Sequence, residues 1–417
     1  MAYEQQTRTM RHIVGSQLDA YRRSGLARAV AGVRAHTGTL AGVLTVFLAV
    51  KVGFYLVGVF AATTIPEYMS LGLPPWTTGA PVPIDISWRW DSGWYLDIIL
   101  HGYRITDPTY ANYNNVAFFP LYPVLIIATN VIVGGRNIPL AGVLVASLAY
   151  LGGLFFVYKL ALLDGSRAMA QRAIWFLAIF PAAFFFNAAY SEPLFLLTAA
   201  GSLYYLRLHR WWLAGLFGML AALTRTQGVL LALPFAWELL ATWRREGHIP
   251  WRYLPSALLP LLGLEIFMGY LLWQVGDALA FVHAQNGWAR SFALPWDTIW
   301  RALVVAATGV HDARYFWSLV NTASVLTFLG VALVSLRRWP AVYSLYVFAS
   351  ITVALTSPSG SGPTESAARF MAVLFPVFLT LAAWTERRPW LDRLITAVSL
   401  PMFGLLTALF VNWFWVV

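Results

Sequence analysis

Long apolar segments recur along almost the whole sequence, and they determine what kind of structure this chain can form. Since about 20 apolar residues cross a bilayer as a helix, the pattern predicts an all-α polytopic membrane protein. With 59% hydrophobic and 11% charged residues, the composition excludes a water-soluble globule, which carries about a quarter charged residues. Twelve apolar segments lie at about 40–62, 118–133, 138–160, 173–188, 191–207, 211–223, 228–242, 254–273, 315–335, 340–356, 368–384 and 394–415.

The segment Phe118–Val133 determines the predicted topology. If it crosses the membrane, every arginine-rich loop that follows falls outside, against the rule that basic loops stay in the cytoplasm. If it lies along the outer interface, all of these loops fall inside. We therefore predict about eleven transmembrane helices, with juxtamembrane helices in the first outer loop. The basic loops carry Arg167 and Arg172, Arg207 and Arg210, Arg244, Arg245 and Arg252, Arg337 and Arg338, and Arg387, Arg388 and Arg393.

The same rule divides the chain into a tail and one membrane domain. Residues 1–39 form an arginine-rich cytoplasmic tail without a cleavage pattern, and 40–417 form a single transmembrane domain with outer loops at about 63–117 and 274–314. The net charge of +10 follows from this orientation, so we expect membrane lipids and no nucleic acid as partners. The sequence has no cysteine, which excludes disulfides and thiolate metal sites.

The first outer loop places a carboxylate among tryptophans. Asp91 lies between Trp90 and Trp94, and Tyr95 follows. A carboxylate desolvated at the bilayer surface has a raised pKa and makes a better general base, so Asp91 is a candidate catalytic residue. Two alternatives remain open: Asp91 caps the start of a helix, or the aromatic residues simply hold a helix at the interface.

Asp97 has a different expected role. It lies six residues after Asp91, about 240° around a helix, so the two carboxylates do not share a face. His101 follows at the i+4 position, where side chains meet on a helix surface. We therefore expect Asp97 to be structural.

Several motifs together resemble the phosphatidylinositol-glycan class V (GPI mannosyltransferase 2) family of glycosyltransferase superfamily C. The resemblance runs from about residue 85 to 385, and its first two motifs are the most specific. They are Arg89-Trp-Asp-Ser-Gly-Trp-Tyr95, Ala117-Phe-Phe-Pro-Leu-Tyr-Pro123, Asn187-Ala-Ala-Tyr-Ser-Glu-Pro193, Leu223-Thr-Arg-Thr-Gln-Gly228 and Ala368-Arg-Phe with Phe375-Pro376.

This resemblance implies a GT-C-type fold and an inverting mannosyl transfer. The donor would be polyprenyl-phosphate-mannose on the extracytoplasmic face, and the acceptor would be a hydroxyl of a lipid-linked molecule or glycolipid. Asp91 matches the aspartate of the family's Trp-Asp motif and would deprotonate that hydroxyl. With 26 Arg and 2 Lys, the chain looks bacterial, which implies the cytoplasmic membrane. The acceptor's identity and any partner subunit stay open.

A lipid phosphate as leaving group needs a cation beside it. Arg225 and Arg369 are the main candidates, because each lies at an outer helix end next to an apolar run. The alternative is an arginine that reaches headgroups or carbonyls. Arg89 is a third candidate, and its alternative is a pair with Asp85.

Further residues could bind the acceptor, the sugar or a metal. Glu192 could steer the acceptor or share a cation with Asp91, or it could simply begin a helix. We also assign Trp90, Trp94, Tyr95, His283 and Gln285 to sugar or acceptor binding. A divalent cation, Mg²⁺ or Mn²⁺, would suit a phosphate leaving group, but no carboxylate or histidine spacing is diagnostic, and the sequence indicates no other cofactor.

The sequence leaves two other classes of function open. One is a lipid or sugar transporter or flippase, and the other is a noncatalytic membrane subunit. Transporters place charges near the midplane and often show inverted repeats, whereas most acids here fall in the outer loops and no repeat is visible. Lys51 and Glu265 are the exceptions, and as intramembrane charges they are functional hypotheses. They could pair with each other or face a polar cavity.

Overall fold

The computed structural model describes residues 38–68, 77–105, 114–248, 251–309 and 313–416. Throughout these ranges the regular secondary structure is helical, and Ser359 and Gly362 form an isolated β-bridge. The predicted all-α fold is therefore confirmed for the described residues. Apart from its last two residues, the predicted basic tail 1–39 lies outside them.

Seventeen α-helices and five 3-10 helices make up the described chain. The α-helices are α1 (Gly38–Thr64), α2 (Val82–Asp85), α3 (Ser92–His101), α4 (Leu121–Ile132), α5 (Ile138–Asp164), α6 (Arg167–Ile179), α7 (Glu192–Arg207), α8 (Trp211–Ala222), α9 (Ala232–Glu246), α10 (Leu254–Val275), α11 (Ala280–His283), α12 (Pro295–Thr308), α13 (Ala313–Ser335), α14 (Ala341–Leu355), α15 (Ala367–Ala372), α16 (Phe375–Thr385) and α17 (Pro389–Val411). The 3-10 helices are Asn115–Ala117, Pro181–Phe186, Thr226–Leu231, Trp251–Tyr253 and Ala284–Trp288.

Five of these helices are long and apolar enough to cross a membrane: α1, α5, α10 with the 3-10 turn before it, α13 and α17. Helices α4, α8, α14 and α16 are apolar but shorter. Many large apolar side chains point away from the bundle, among them Leu56, Ile132 and Leu148. Because an apolar outer surface suits lipid and all backbone polar groups within a helix are satisfied, the chain is a multi-pass membrane protein.

One end of the bundle, here called the site end, gathers the loops that the motifs occupy. The backbone N–H of Ala189 donates to the carbonyl of Ser87 over 2.8 Å, and Arg89 Nε donates to the carbonyl of Val411 over 2.8 Å. Trp88 Nε1 reaches the carbonyl of Pro139 over 3.0 Å. Segments far apart in sequence therefore meet around residues 86–92.

Helix α4 begins at the site end, and the chain is still at that end when α5 begins. Tyr122, in the first turn of α4, donates to the carbonyl of Gly142 in the first turns of α5 over 3.0 Å. Trp88 contacts the start of α5 as well. This arrangement agrees with an α4 that does not cross the membrane, whereas the total of eleven spans stays a prediction.

The two intramembrane charges do not meet. Lys51 is buried in the middle of α1, where Nζ donates to the carbonyl of Asn187 over 3.3 Å. Glu265 is exposed on α10. The proposed pairing of Lys51 with Glu265 is wrong, because one side chain points into the bundle and the other points out of it.

Candidate active site

A strained turn places Asp91 immediately before α3. Trp90 has a φ of 53°, a left-handed conformation that costs a non-glycine residue about 1–2 kcal/mol. Its ring is wedged against Trp413 and Trp415, with centroid distances of 5.5 and 5.0 Å. Tyr190 clamps the same turn, because its hydroxyl donates to the carbonyl of Arg89 over 2.9 Å and accepts from the N–H of Asp91 over 3.1 Å.

The carboxylate of Asp91 binds an arginine from the far end of the sequence. Oδ2 accepts a hydrogen bond from Arg369 Nη1, and the Asp91 side chain is 15% exposed. Asp91 occupies the N-cap position of α3, as the alternative interpretation expected, but its side chain makes no capping hydrogen bond to the helix. Among the described residues, no side chain or backbone group donates a hydrogen bond to Oδ1.

Glu192 joins this arginine to a second one. Its Oε1 accepts from Arg369 Nε and, over 2.5 Å, from Arg225 Nη1. The side chain is only 1% exposed, and Oε2 has no hydrogen-bond partner in the described chain. Asp91, Arg369, Glu192 and Arg225 thus form one continuous buried series of ion pairs, named here the charge relay. Burial of such charges is tolerated because each has an opposite partner.

Arg369 is held by its own strained turn and by aromatic rings. It lies in α15, which follows Ser366 with a φ of 64°. Its guanidinium carbon lies 4.9 Å from the ring centroid of Phe185 and 4.8 Å from that of Tyr190. Cation–π contacts of this kind stabilise a desolvated guanidinium. The same Tyr190 therefore positions both Asp91 and Arg369.

Arg225 owes its position to the glycine of its own motif. A Cβ on Gly228 would collide with the backbone of Ala221, so only glycine lets the chain turn back against α8 after Arg225. Arg225 also donates from Nη1 to Ser191 Oγ over 3.2 Å. Ser191 in turn accepts from the hydroxyl of Tyr95 over 2.8 Å.

Arg89 is engaged elsewhere. It is 3% exposed, and its guanidinium binds Asp85 over 2.9 Å together with three backbone carbonyls. Burial lowers the pKa of Arg89, and the charge of Asp85 opposes this shift. The alternative that paired Arg89 with Asp85 is thus the arrangement observed, and Arg89 has no place in the charge relay.

The predicted aromatic residues line the region beside Asp91. Trp94 stacks on Phe118, with centroids 5.9 Å apart, and its edge faces Trp288 at 6.3 Å. Tyr95 is buried, which raises the pKa of its hydroxyl. The indole Nε1 of Trp90 is buried without a hydrogen-bond acceptor within the described ranges.

His283 and Gln285 lie apart from the charge relay. His283 Nδ1 is 2.7 Å from an Asp277 oxygen, and its side chain is 63% exposed. Gln285 Nε2 donates to the carbonyl of Phe281 over 3.3 Å. The structure shows no hydrogen bond from either residue to Asp91 or Glu192.

Asp97 has the structural role that its spacing predicts. It meets His101 over 2.9 Å, and it also binds Arg104 over 2.8 Å and Asn115 Nδ2 over 2.7 Å. The i+4 contact with His101 is confirmed.

Arg290 was not among the site residues predicted from the sequence. Its guanidinium carbon lies 5.7 Å from the ring centroid of Phe370, and Arg225 lies at the same distance from that ring. The available signal was its position two residues after Trp288, at the end of the loop segment that already contained His283 and Gln285.

The arrangement does not suit a divalent cation between Asp91 and Glu192. The guanidinium of Arg369 already lies between the two carboxylates and binds both. Across the described residues, no group of three or more histidine or acidic side chains could hold a metal. We therefore derive no step through a metal ion.

The part of the chain that carries Asp91, Glu192 and Arg225 is similar to a known family. Residues 81–241 match the family model described as Mannosyltransferase (PIG-V). The resemblance stated from the motifs is therefore confirmed over that part of the chain, which contains Asp91, Glu192 and Arg225. Arg290 and Arg369 lie beyond it.

Two archaeal proteins of known structure are also similar to this chain. Among solved structures, the Archaeoglobus fulgidus oligosaccharyltransferase in its apo form has 16% identity and a TM-score of 0.43, over 87% of this chain and 54% of that chain. The same organism's oligosaccharyltransferase AglB, in complex with an inhibitory peptide and a dolichol-phosphate, has 14% identity and a TM-score of 0.43, over 88% and 56%. This chain thus spans about half the length of those proteins. No curated protein matches it.

Proposed function

We propose that this protein is an inverting glycosyltransferase that moves a mannosyl residue from polyprenyl-phosphate-mannose to a hydroxyl of a lipid-linked or glycolipid acceptor. The observation that carries the proposal is the charge relay, in which the aspartate of the Trp-Asp motif touches an arginine suited to phosphate. The GT-C-type fold with about eleven spans, implied by the resemblance, is part of the proposal.

Asp91 is the general base. The acceptor hydroxyl approaches Oδ1, since Oδ2 is bound by Arg369 until the donor phosphate arrives. As the hydroxyl oxygen bonds to the anomeric carbon, its proton passes to Asp91, and the bond from that carbon to the phosphate oxygen breaks. The electron pair of the broken bond stays on the phosphate. Attack from the face opposite the phosphate inverts the anomeric configuration.

Arg369 and Arg225 stabilise the phosphate. Charge-assisted hydrogen bonds from guanidinium to phosphate are strong and directional, and they gain strength as negative charge develops. Before the donor binds, both groups are occupied by Glu192, and Arg369 also binds Asp91. The donor phosphate competes with these carboxylates, so its arrival at Arg369 releases Asp91 to act as a base.

The aromatic residues around Asp91 form the sugar and acceptor wall of this proposal. Trp94, stacked on Phe118, offers an apolar face to a sugar ring. The unpartnered Nε1 of Trp90 is a hydrogen-bond donor for a hydroxyl. Tyr95 acts indirectly, since its hydroxyl holds Ser191 next to Arg225. His283 and Gln285 have no role in this step.

The proposed location is the bacterial cytoplasmic membrane, with the N-terminus in the cytoplasm and the site end outside. The arginine-rich loops support this orientation. Arg207 is the last residue of α7, which begins at Glu192, and Arg387 lies two residues after α16, which begins six residues after Arg369. A reporter attached between Thr385 and Leu391 should be accessible only from the cytoplasm. External labelling would reverse the proposed orientation.

The transferase activity is testable with purified protein in lipid nanodiscs. Radiolabelled polyprenyl-phosphate-mannose and a bacterial lipid extract should yield a labelled lipid product and free polyprenyl phosphate. Asp91→Asn should abolish the product, whereas Asp297→Asn, which removes an exposed acid paired with Arg301, should not. Transport without transfer would instead move the intact donor across a vesicle bilayer, and would be insensitive to Asp91→Asn.

A further inference from the structure

Arg290 is held next to the charge relay by two paired loops. The N–H of Ser291 donates to the carbonyl of Pro358 over 3.2 Å, and the N–H of Gly360 donates to the carbonyl of Ala289 over 3.0 Å. Ala289 has a φ of 47°, and a Cβ on Gly360 would lie 2.9 Å from the Ala289 Cβ. This close approach of the loops fixes the backbone on which Arg290 stands.

The guanidinium of Arg290 faces the same ring as Arg225. Both guanidinium carbons lie 5.7 Å from the centroid of Phe370. Arg290 Nη1 donates to the carbonyl of Ser357 over 2.8 Å, which anchors the guanidinium by one of its donors. The electrostatic influence of Asp91, Arg225 and Arg369 reaches Arg290 as well, so its charge belongs to the same site.

Arg290 differs from the other two arginines in its partners. Arg225 and Arg369 each bind a carboxylate, whereas Arg290 forms no ion pair with any described residue. Burial lowers the pKa of Arg290, and Glu365 exerts the strongest opposing influence. However, the carboxylate of Glu365 is engaged by Ser361 Oγ and by Trp415 Nε1. A desolvated guanidinium without an ion pair favours an anionic ligand.

The chemistry of the transfer indicates which anion this is. The donor phosphate is a diester with one negative charge, and the departing polyprenyl phosphate is a monoester that gains a second charge when the electron pair stays on its oxygen. Arg225 and Arg369 must give up a carboxylate to bind phosphate. Arg290 can bind it without breaking any ion pair observed in the described chain.

We propose that Arg290 is a phosphate-binding residue selective for the product, which strengthens its contact as the second charge develops on the departing lipid phosphate. Arg290 thus acts beside Phe370, as Arg225 does. This inference rests on the proposed function and adds to it a residue, and a preference for lipid monophosphate over the intact donor.

Binding to two ligands tests the preference. Wild type, Arg290→Gln and Arg290→Lys are titrated in nanodiscs with polyprenyl phosphate, and with a donor analogue in which carbon replaces the scissile oxygen. We expect Arg290→Gln to weaken the binding of polyprenyl phosphate about tenfold or more, which is the range for losing a hydrogen bond to a charged group. Its affinity for the donor analogue should fall by less than about threefold. Arg290→Lys keeps the charge and should recover much of the product affinity.

Steady-state kinetics provide a second readout. Arg290→Gln should lower kcat and leave KM for the donor almost unchanged, since the lost contact strengthens only in the transition state. Arg301→Gln is the matched control, because Arg301 is an exposed arginine of α12 paired with Asp297, and it should change neither ligand's affinity. Inorganic phosphate is titrated in parallel: competition at micromolar concentration would assign the site to free phosphate and not to the lipid.

The results of these experiments distinguish a failure of the Arg290 inference from a failure of the proposed function. Equal weakening of both ligands, or no weakening, in a folded Arg290→Gln protein overturns the role of Arg290. If Arg290→Gln does not fold, failure of the folded Arg290→Lys protein to favour the product over the donor analogue overturns it equally. If the wild type transfers mannose and Asp91→Asn does not, the proposed function stands in either case. A wild type that neither binds polyprenyl phosphate nor transfers mannose contradicts both.

Discussion

The two ends of the helical bundle both contain an arginine bound to carboxylate beside a buried tyrosine, but the two clusters are built differently. At the end opposite the site, Arg207 binds Asp164 through two parallel contacts of 2.7 and 2.8 Å, and Tyr343 hydrogen-bonds to both side chains. One acid serves one arginine there. At the site end, Asp91 and Glu192 share Arg369.

We interpret this difference as the difference between a structural ion pair and the proposed binding site. The Arg207 cluster uses both carboxylate oxygens, so it has no capacity left for a ligand. The charge relay leaves Glu192 Oε2 without a partner in the described chain, and Arg290 lies beside it without an ion pair. Buried polar groups are expected to be satisfied. A buried carboxylate oxygen without a donor can accept a hydrogen bond from a ligand, and a guanidinium without an ion pair favours an anionic one.

The largest expected effect is the loss of the base. Asp91→Asn keeps the shape of the side chain but removes its ability to accept a proton. General base catalysis contributes about 10²–10⁴-fold in rate, so mannose transfer should fall by that factor in the protein that remains folded. The lost ion pair with Arg369 should also lower the free energy of unfolding. Turnover is followed by the release of polyprenyl phosphate. Retention of more than a tenth of the wild-type rate would remove Asp91 from the mechanism.

The second effect concerns the arginine that the two acids share. Arg369→Gln removes a guanidinium that would bind the leaving phosphate, and loss of one such electrostatic contact costs about 10²–10³-fold in kcat. Affinity for polyprenyl phosphate should weaken as well. A variant that binds this lipid as tightly as the wild type would show that Arg369 only holds Asp91 and Glu192 in place.

Asp91 and Arg369 were both candidate site residues in the sequence, but the sequence did not predict that they touch. Asp91 and Arg369 belong to separate motifs. They are 278 residues apart, and local periodicity gives no information about contacts over that distance. The apolar segments predicted the helical fold, because burial in lipid imposes a length and a composition on each span. In the described residues, however, five helices are long and apolar enough to cross a membrane, and the segments 173–188 and 368–384 each divide into two helical elements. Nothing comparable specifies which loops meet at an end of the bundle.

Arg89 and Arg290 also show that the local sequence does not determine which loop residues meet at the site. Arg89 looked suited to phosphate, yet it follows Asp85 by four residues, a spacing at which side chains on one helical turn pair readily, and it makes that pair. Arg290 looked like an ordinary loop residue. Only the pairing of its loop with residues 356–360 brings it beside Phe370.

The third prediction tests the opposite end of the bundle. Arg207→Gln removes a charged group from a satisfied, partly buried pair, and the loss of hydrogen bonds to a charged group costs about 1.5–3 kcal/mol. We therefore expect a lower free energy of unfolding and an unchanged KM for the donor in the protein that remains folded. Chemical denaturation measures the first quantity, and initial rates at varied donor concentration measure the second. A raised KM would connect this cluster to the site.

The smallest effect is expected at the site end itself, away from the charge relay. The hydrogen bond from His283 lowers the pKa of Asp277. A depressed carboxylate pKa contributes stability that is present above the group's ordinary pKa and is lost as the pH falls through the lowered value. Because the pair is exposed, this contribution is small, and at neutral pH it is constant. His283→Gln should therefore leave mannose transfer within about twofold of wild type from pH 6 to 8, since exposed pairs contribute little. It should lower the free energy of unfolding slightly at neutral pH, and this difference from wild type should disappear in strong acid, where Asp277 is protonated in both proteins. A large loss of transfer at neutral pH, with normal folding, would return His283 to the acceptor or sugar site.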